Sequence, residues 1–270
     1  MADFWMLMWK PLCACLILAG IHAYLGIHVV ERKVIFVDLA LAQVAALGAC
    51  AAIVFGHDVH GFFAYCFSLG AAVIGAVLFS MTRTREEKIP HEAMIGIVYA
   101  VSAASAILLL SRSAEGDEHI REMLVGNILL VDIQEILKML ILYGLIGAAH
   151  WFLRKKFILI STDPGKAYQQ GVRVRIWDFI FYVLFAIVVT TSVEIAGVLL
   201  VFAFLIIPSV AAMTVTTSFR HRLSFGWCFA GVAAFTGILI SYWLNWPTGA
   251  TIVCVFGGFL TIVAFKARFF

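Results

Sequence analysis

From residue 11 to residue 265 the chain is a succession of apolar runs separated by short breaks. A helix needs about 20 mostly apolar residues to cross a hydrocarbon layer. Cutting the sequence at its charge clusters and Gly/Pro breaks gives nine such spans. They lie roughly at 11–30, 35–56, 61–81, 92–111, 133–153, 176–192, 195–217, 224–244 and 248–265. The sixth is the shortest, and eight spans result if 176–217 is a re-entrant pair or one bent helix. The expected fold is therefore all-α: one polytopic transmembrane helix bundle over residues 1–270. Composition excludes a soluble core with a single anchor. The chain is 63% hydrophobic and 13% charged, against about 45–50% and about 25% in soluble domains.

The N-terminal stretch MADFWMLMWKPLCACLILAG has an early acidic residue, no basic leader and no A-x-A site. It reads as a first span, not a cleaved signal peptide. The six cysteines all lie in apolar segments and none shows C-x-x-C spacing. They read as small buried hydrophobes. Gly70-Ala71-Ala72 and Gly144 with Ala148 read as points where spans approach closely.

Charge placement gives an orientation. Arg32, Lys33, Arg83, Arg85, Lys88, Arg154, Lys155, Lys156, Lys166, Arg173, Arg175, Arg220, Arg222, Lys266 and Arg268 fall in one alternating set of breaks. Lys10, Arg112, Arg121 and Lys138 fall in the other. Lys and Arg are retained on the cytoplasmic side. Fifteen against four, of nineteen in all, puts the C-terminus in the cytoplasm and the N-terminus outside.

The longest wet break, 154–175, reads RKKFILISTDPGKAYQQGVRVR and is expected as a cytoplasmic loop. Within it Asp163-Pro164 opens a short helix-like piece and Gly171 closes it. Ala167 is expected on an exposed docking face, small enough for close approach by a partner. A capped cytoplasmic helix between spans is where a permease would meet an ATP-driven motor. Residues 120–131, IREMLVGNILLV, are too short to span and are expected as a half-helix dipping into the bundle.

An ionisable group inside a span costs about 2.5–3.5 kcal/mol at the centre on insertion scales, so each needs a reason. His22, Asp38, Glu92 and Glu194 stand out. Asp38 and Glu92 lie toward the cytoplasmic ends of their spans, His22 near mid-membrane and Glu194 near the outer mouth. Each has a structural alternative. Asp38 can favour a helix N-terminus, Glu92 can cap one, His22 can bond a backbone carbonyl, and Glu194 can end a span among headgroups. Outside, His57-Asp58-x-His60 has transition-metal side chains but too few for a closed shell. It reads first as a polar turn between spans. The loop SRSAEGDEHIREM mixes both charges, which suits a soluble partner and also a solvated loop.

Six patterns carry a resemblance: IFVDLALAQVAALG at 35–48, HEAMIGIVYAVSAA at 91–104, MLVGNILLV at 123–131, STDPGKAYQQG at 161–171, IAGVLLVFAFLIIPSVAA at 195–212 and WPTGATIV at 246–253. Together and in order they resemble the permease subunits of bacterial ATP-binding-cassette importers for zinc, manganese and iron. The resemblance implies a homodimeric pore in the cytoplasmic membrane, two ATPase subunits below it and an extracytoplasmic metal-binding protein above it. It places the family's transit site at Asp38 and Gln43; the intramembrane His22, Glu92 and Glu194 join them as candidates for the substrate path by their position in the spans. It also implies coupling to the ATPase through Asp163, Pro164, Ala167 and Gly171. No tightly bound cofactor is expected, the metal ion being cargo. One departure stands out: Asp38 comes one position early against the Ala-Leu run, and Gln43 replaces the family's His. Gln is a poor zinc ligand beside His, so the departure bears on both the transit site and the metal.

The sequence holds no G-x-x-x-x-G-K-[ST] phosphate loop. An importer built on this chain draws its energy from another polypeptide. A secondary transporter driven by protons or sodium is the competing class, favoured by more intramembrane acids and broken helices in matching halves. An intramembrane enzyme would need a nucleophile–base pair or a metal triad such as HExxH, and none is present.

Overall fold

The computed structural model describes residues 2–57, 61–82, 90–111 and 126–269, with side chains from 4 to 267. These residues form ten α-helices and no strand. They are α1 (Ala2–Glu31), α2 (Val37–Val54), α3 (Phe62–Thr82), α4 (His91–Leu110), α5 (Ile133–Thr162), α6 (Pro164–Gln169), α7 (Val174–Ala196), α8 (Val198–Val215), α9 (Phe219–Leu244) and α10 (Thr248–Phe269). A single 3₁₀ turn, Ile128–Leu130, precedes α5. All except α6 are long and apolar enough to cross a membrane, nine among the described residues.

The nine spans follow the apolar runs, but several boundaries move. The sixth span is not short: α7 has 23 residues, about 34 Å at 1.5 Å per residue. It is separated from α8 by Gly197 alone, at φ 76° and ψ 158°, so 176–217 is two helices. The break expected at 154–175 is also shorter. Arg154, Lys155 and Lys156 lie on α5, which runs 30 residues to Thr162, and Arg154 stacks over Trp151 at 3.8 Å. Of the half-helix expected at 120–131, residues 120–125 lie outside the described residues. The rest is Gly126 at φ 63° followed by the 3₁₀ turn. Gly126 presses on the backbone of Ala196 and Gly197 where a Cβ would collide, and the Asn127 amide donates to Ile195 O at 3.4 Å.

The chain gathers into two compact units. The first draws on Met1–Val30, Leu124–Ala148 and Glu194–Phe270, the second on Glu31–Met123 and Ala149–Val193. In the first, α8, α9 and α10 pack on one another. There α1 meets α8 at Gly26, which abuts the Leu205 carbonyl and Ser209. The Ser209 hydroxyl donates to Leu205 O at 2.9 Å and to Ala23 O at 3.3 Å. The Trp227 indole donates to Gly20 O at 2.9 Å, tying α9 to α1. In the second unit α2 packs on α3 and α4, with Gly48 against the backbone of Phe67 and the Ala71 methyl.

Small residues thus do let helices close up, as membrane packing requires; of the positions the sequence pointed to, Ala71 lies at the contact with Gly48 and Ala72 is buried, whereas the glycines make no such contact. Gly70 and Gly144 face open space. The cysteines divide as well: Cys15 and Cys50 are buried, while Cys66, Cys228 and Cys254 are exposed on helix surfaces. Gly26→Ala should lower stability by about 1–3 kcal/mol, the usual cost of overpacking. Thermal melting of the purified protein in detergent reads this directly, and an unchanged melting temperature would count against the close contact at Leu205.

Candidate functional site

In the second unit the short helix α6 forms as its sequence dictates. The Asp163 carboxylate accepts from the Lys166 amide at 2.9 Å, an N-cap, and Pro164 takes the first helical position where its missing N–H is no loss. The helix closes on Gly171 at φ 71°. The Gly171 amide donates to Tyr168 O and the Val172 amide to Ala167 O, both at 3.0 Å, the paired bonds of a Schellman cap. Six residues are too few to be helical alone. Packing supplies the rest, because Ala167 is buried with Ile160 and Val174. That corrects one expectation: Ala167 is turned inward against its own chain. The outward face of the segment is Gly165, Lys166, Gln169, Gln170 and Gly171, flanked by the exposed bases Lys155, Lys156, Arg173 and Arg175.

Directly beside α6 lies a buried ion pair. Arg32 is in the turn between α1 and α2, where the basic count treated it as a loop charge. Its side chain is fully buried. Nη1 donates to Asp178 Oδ1 at 2.6 Å and Nε to Ser161 Oγ at 2.8 Å. The guanidinium carbon sits 4.0 Å from the centroid of the Phe181 ring. Ser161 lies in the last turn of α5, two residues before the Asp163 cap, and Asp178 lies one turn into α7. The pair therefore grips both helices that flank α6.

The same turn leads to the acidic residues. Lys33 takes the left-handed conformation at φ 56°, which reverses the chain sharply. Phe36 then caps α2, and its amide donates to Glu92 Oε1 at 3.0 Å. Glu92 thus satisfies the start of a neighbouring helix as well as opening its own. Asp38 is in the first turn of α2 and 2% exposed. Its carboxylate faces the amides of Asp38 and Leu39 and lies within electrostatic reach of Glu92. Asp38 Oδ1 and Glu92 Oε2 are both buried and make no hydrogen bond among the described residues.

The other sequence-selected residues are placed as follows. Gln43 is buried on α2 at 8% exposure, five residues past Asp38 and so about 140° around the helix. In the first unit His22 is fully buried and its Nδ1 bonds Leu18 O at 2.9 Å. A carbonyl cannot donate, so Nδ1 carries the proton and Nε2 remains an acceptor, one with no partner among the described residues. Glu194 is exposed and lies 4.0 Å from Lys138, a surface pair. His57 stacks on Phe63 with ring centroids 4.6 Å apart and planes 17° apart. His60 lies outside the described residues, as do 112–122 of the mixed-charge loop. Among the described residues no group of three or more His, Cys, Asp or Glu converges.

Sequence reading passed over Asp178 and His91. Asp178 stands in the apolar run 176–192, an intramembrane acid by position, and that was the available signal. The His91 Nε2 bonds Phe79 O at 3.0 Å and Thr82 Oγ1 at 3.1 Å, pinning the start of α4 to the end of α3.

The sequence pattern of the ABC 3 transport family matches residues 5–267. The chain belongs to that family. It is a multi-pass membrane protein whose relatives are membrane subunits of metal transport systems. It is 29% identical over 175 residues to a probable iron transport system membrane protein of Haemophilus influenzae, covering 65% of this chain and 64% of that one. It is 29% identical over 206 residues to the manganese transport system membrane protein MntC of Listeria innocua, covering 76% and 72%. The match to the first therefore spans just under two thirds of that relative's length. The fold is that of a chain in PsaBC from Streptococcus pneumoniae in complex with Fab. The TM-score is 0.80 with 20% identity, over 97% of this chain and 94% of that one.

Proposed function

We propose that this chain is the transmembrane permease subunit of an ATP-driven importer of a first-row divalent metal, in the cytoplasmic membrane of a bacterium. It works as a homodimer, with ATP-binding-cassette ATPase subunits against the outward face of α6 and an extracytoplasmic metal-binding protein at the opposite mouth. Family membership supports the class. The observation that carries the substrate is the two buried carboxylate oxygens, Asp38 Oδ1 and Glu92 Oε2, which make no hydrogen bond among the described residues. A buried carboxylate oxygen left without a donor is costly, and a passing cation supplies the missing partner. Two oxygens hold an ion weakly, which suits a pathway that must release what it binds.

Carboxylate and amide oxygens favour harder ions. With Gln43 where the family carries His, manganese and iron are favoured over zinc. The relatives named for iron and manganese agree with that order.

The test is reconstitution of the chain with its ATPase in liposomes, with the binding protein supplied outside and radiotracer manganese, iron and zinc compared. ATP-dependent uptake is expected, manganese or iron exceeding zinc. In the same assay Gly171→Val, which forces a branched residue into the left-handed region, should lower metal moved per ATP severalfold. Uptake driven by a proton or sodium gradient without ATP would instead establish the secondary-transporter reading.

A further inference from the structure

We propose that Arg32 is a positioning residue for energy coupling, a buried strut that carries displacement of α6 to the start of α2, where Asp38 lies within electrostatic reach of Glu92. This rests on the reading of α6 as the ATPase contact.

The route is continuous and lies within the second unit. The α6 helix cannot move without its flanks, because Ala167 is packed between Ile160 at the end of α5 and Val174 at the start of α7. One residue past Ile160 is Ser161, and one turn past Val174 is Asp178. Both bind the same guanidinium, through Nε at 2.8 Å and Nη1 at 2.6 Å. Phe181, three residues beyond Asp178 on the same face of α7, lies under the guanidinium plane at 4.0 Å. Arg32 is thus held by both helices at once. An Arg fork has fixed donor directions, so it transmits position where a Lys point charge would swivel.

From Arg32 the chain has no slack. Four residues separate it from α2, and the first, Lys33, is locked in the left-handed region at φ 56°. The Val37 amide closes the turn on Val34 O at 3.1 Å. Phe36, the last residue of the turn, is bonded to Glu92, and Asp38 follows two residues later. A shift of the α5–α6–α7 corner therefore displaces the Phe36–Glu92 contact and the Asp38 carboxylate beside it. Packed side chains and charge-assisted bonds of this kind carry coupling when they move as a unit.

A buried ion pair could serve stability alone. The two roles separate in the ratio of metal transported to ATP hydrolysed, because loss of folded protein lowers both in proportion. The complex with its ATPase and binding protein is reconstituted with wild-type chain or with Arg32→Met/Asp178→Leu, which removes both charges while Leu keeps the branched outline of Asp. The double variant is expected to hydrolyse ATP within about twofold of wild type while metal moved per ATP falls at least tenfold. A wild-type ratio in the double variant overturns the assignment. If that variant does not assemble, Ser161→Ala and Arg32→Lys carry the test, since both leave the buried charges balanced. Each is expected to lower the ratio at least threefold, and wild-type ratios in both overturn the assignment. A wild-type complex that moves no metal at all removes the transport reading itself, and this inference with it. A wild-type complex that couples normally beside coupled variants removes only the role of Arg32.

Discussion

Arg32→Met or Asp178→Leu alone is expected to destabilise the folded chain by about 3–5 kcal/mol, and the two together by much less. The asymmetry follows from what each change leaves behind. Both side chains of the pair are fully buried. Removing one leaves the other buried without the opposite charge it is bonded to at 2.6 Å, the costly case. Removing both exchanges a desolvated pair for apolar groups, which is often neutral. Ser161 retains its place beside Arg32 in the Asp178→Leu variant, but a hydroxyl does not balance a charge. The Phe181 ring also stays and offers about 0.5–2 kcal/mol of cation–π attraction. Melting temperatures of the three variants in one detergent decide the matter. If the double variant is as unstable as the worse single, the pair is not an isolated unit and more of the surrounding structure depends on it.

That pair also shows what was legible in the sequence and what was not. The spans were legible, because a run of apolar residues long enough to cross a membrane has few other uses. The short helix α6 was legible too, since Asp163-Pro164 and Gly171 are local signals for its two ends. Contacts between helices were not. Arg32 and Asp178 are 146 positions apart, and a basic residue after a span reads as a solvated cytoplasmic charge. Only the folded chain shows it buried. Nor could the sequence tell which glycines sit at contacts. In a soluble helix the polar face marks the outside, but in a membrane bundle the lipid-facing and buried faces are both apolar. Gly70 and Gly26 therefore look alike in sequence, though one faces open space and the other a neighbouring carbonyl. Ala167 failed as a docking residue for a related reason: its small size fits an internal contact as well as an external one.

Asp38→Asn is expected to raise the melting temperature while lowering manganese and iron uptake by at least about tenfold. The opposite signs are the argument. Asp38 is 2% exposed, with Oδ1 making no hydrogen bond, and Glu92 lies within electrostatic reach. A charged group in a span costs up to about 2.5–3.5 kcal/mol. The helix N-terminus returns only about 0.3–1 kcal/mol of that. Removing the charge at constant size should therefore stabilise the chain, by about 1–2 kcal/mol once the shallow position of Asp38 is allowed for. A residue kept at such a cost serves something other than folding, the usual trade between stability and activity. If Asp38 serves transport, uptake falls because a neutral amide offers a divalent ion no charge. Glu92 remains but is partly engaged by the Phe36 amide and does not compensate. Gln43→Ala should have the smaller effect, because it removes a neutral donor set well around the helix from Asp38. Uptake is measured with radiotracer in the reconstituted complex, and stability by melting in detergent. A variant that is less stable and transports in proportion to its folded fraction would make Asp38 a structural charge at the start of α2. Full uptake in Asp38→Asn would remove it from the pathway.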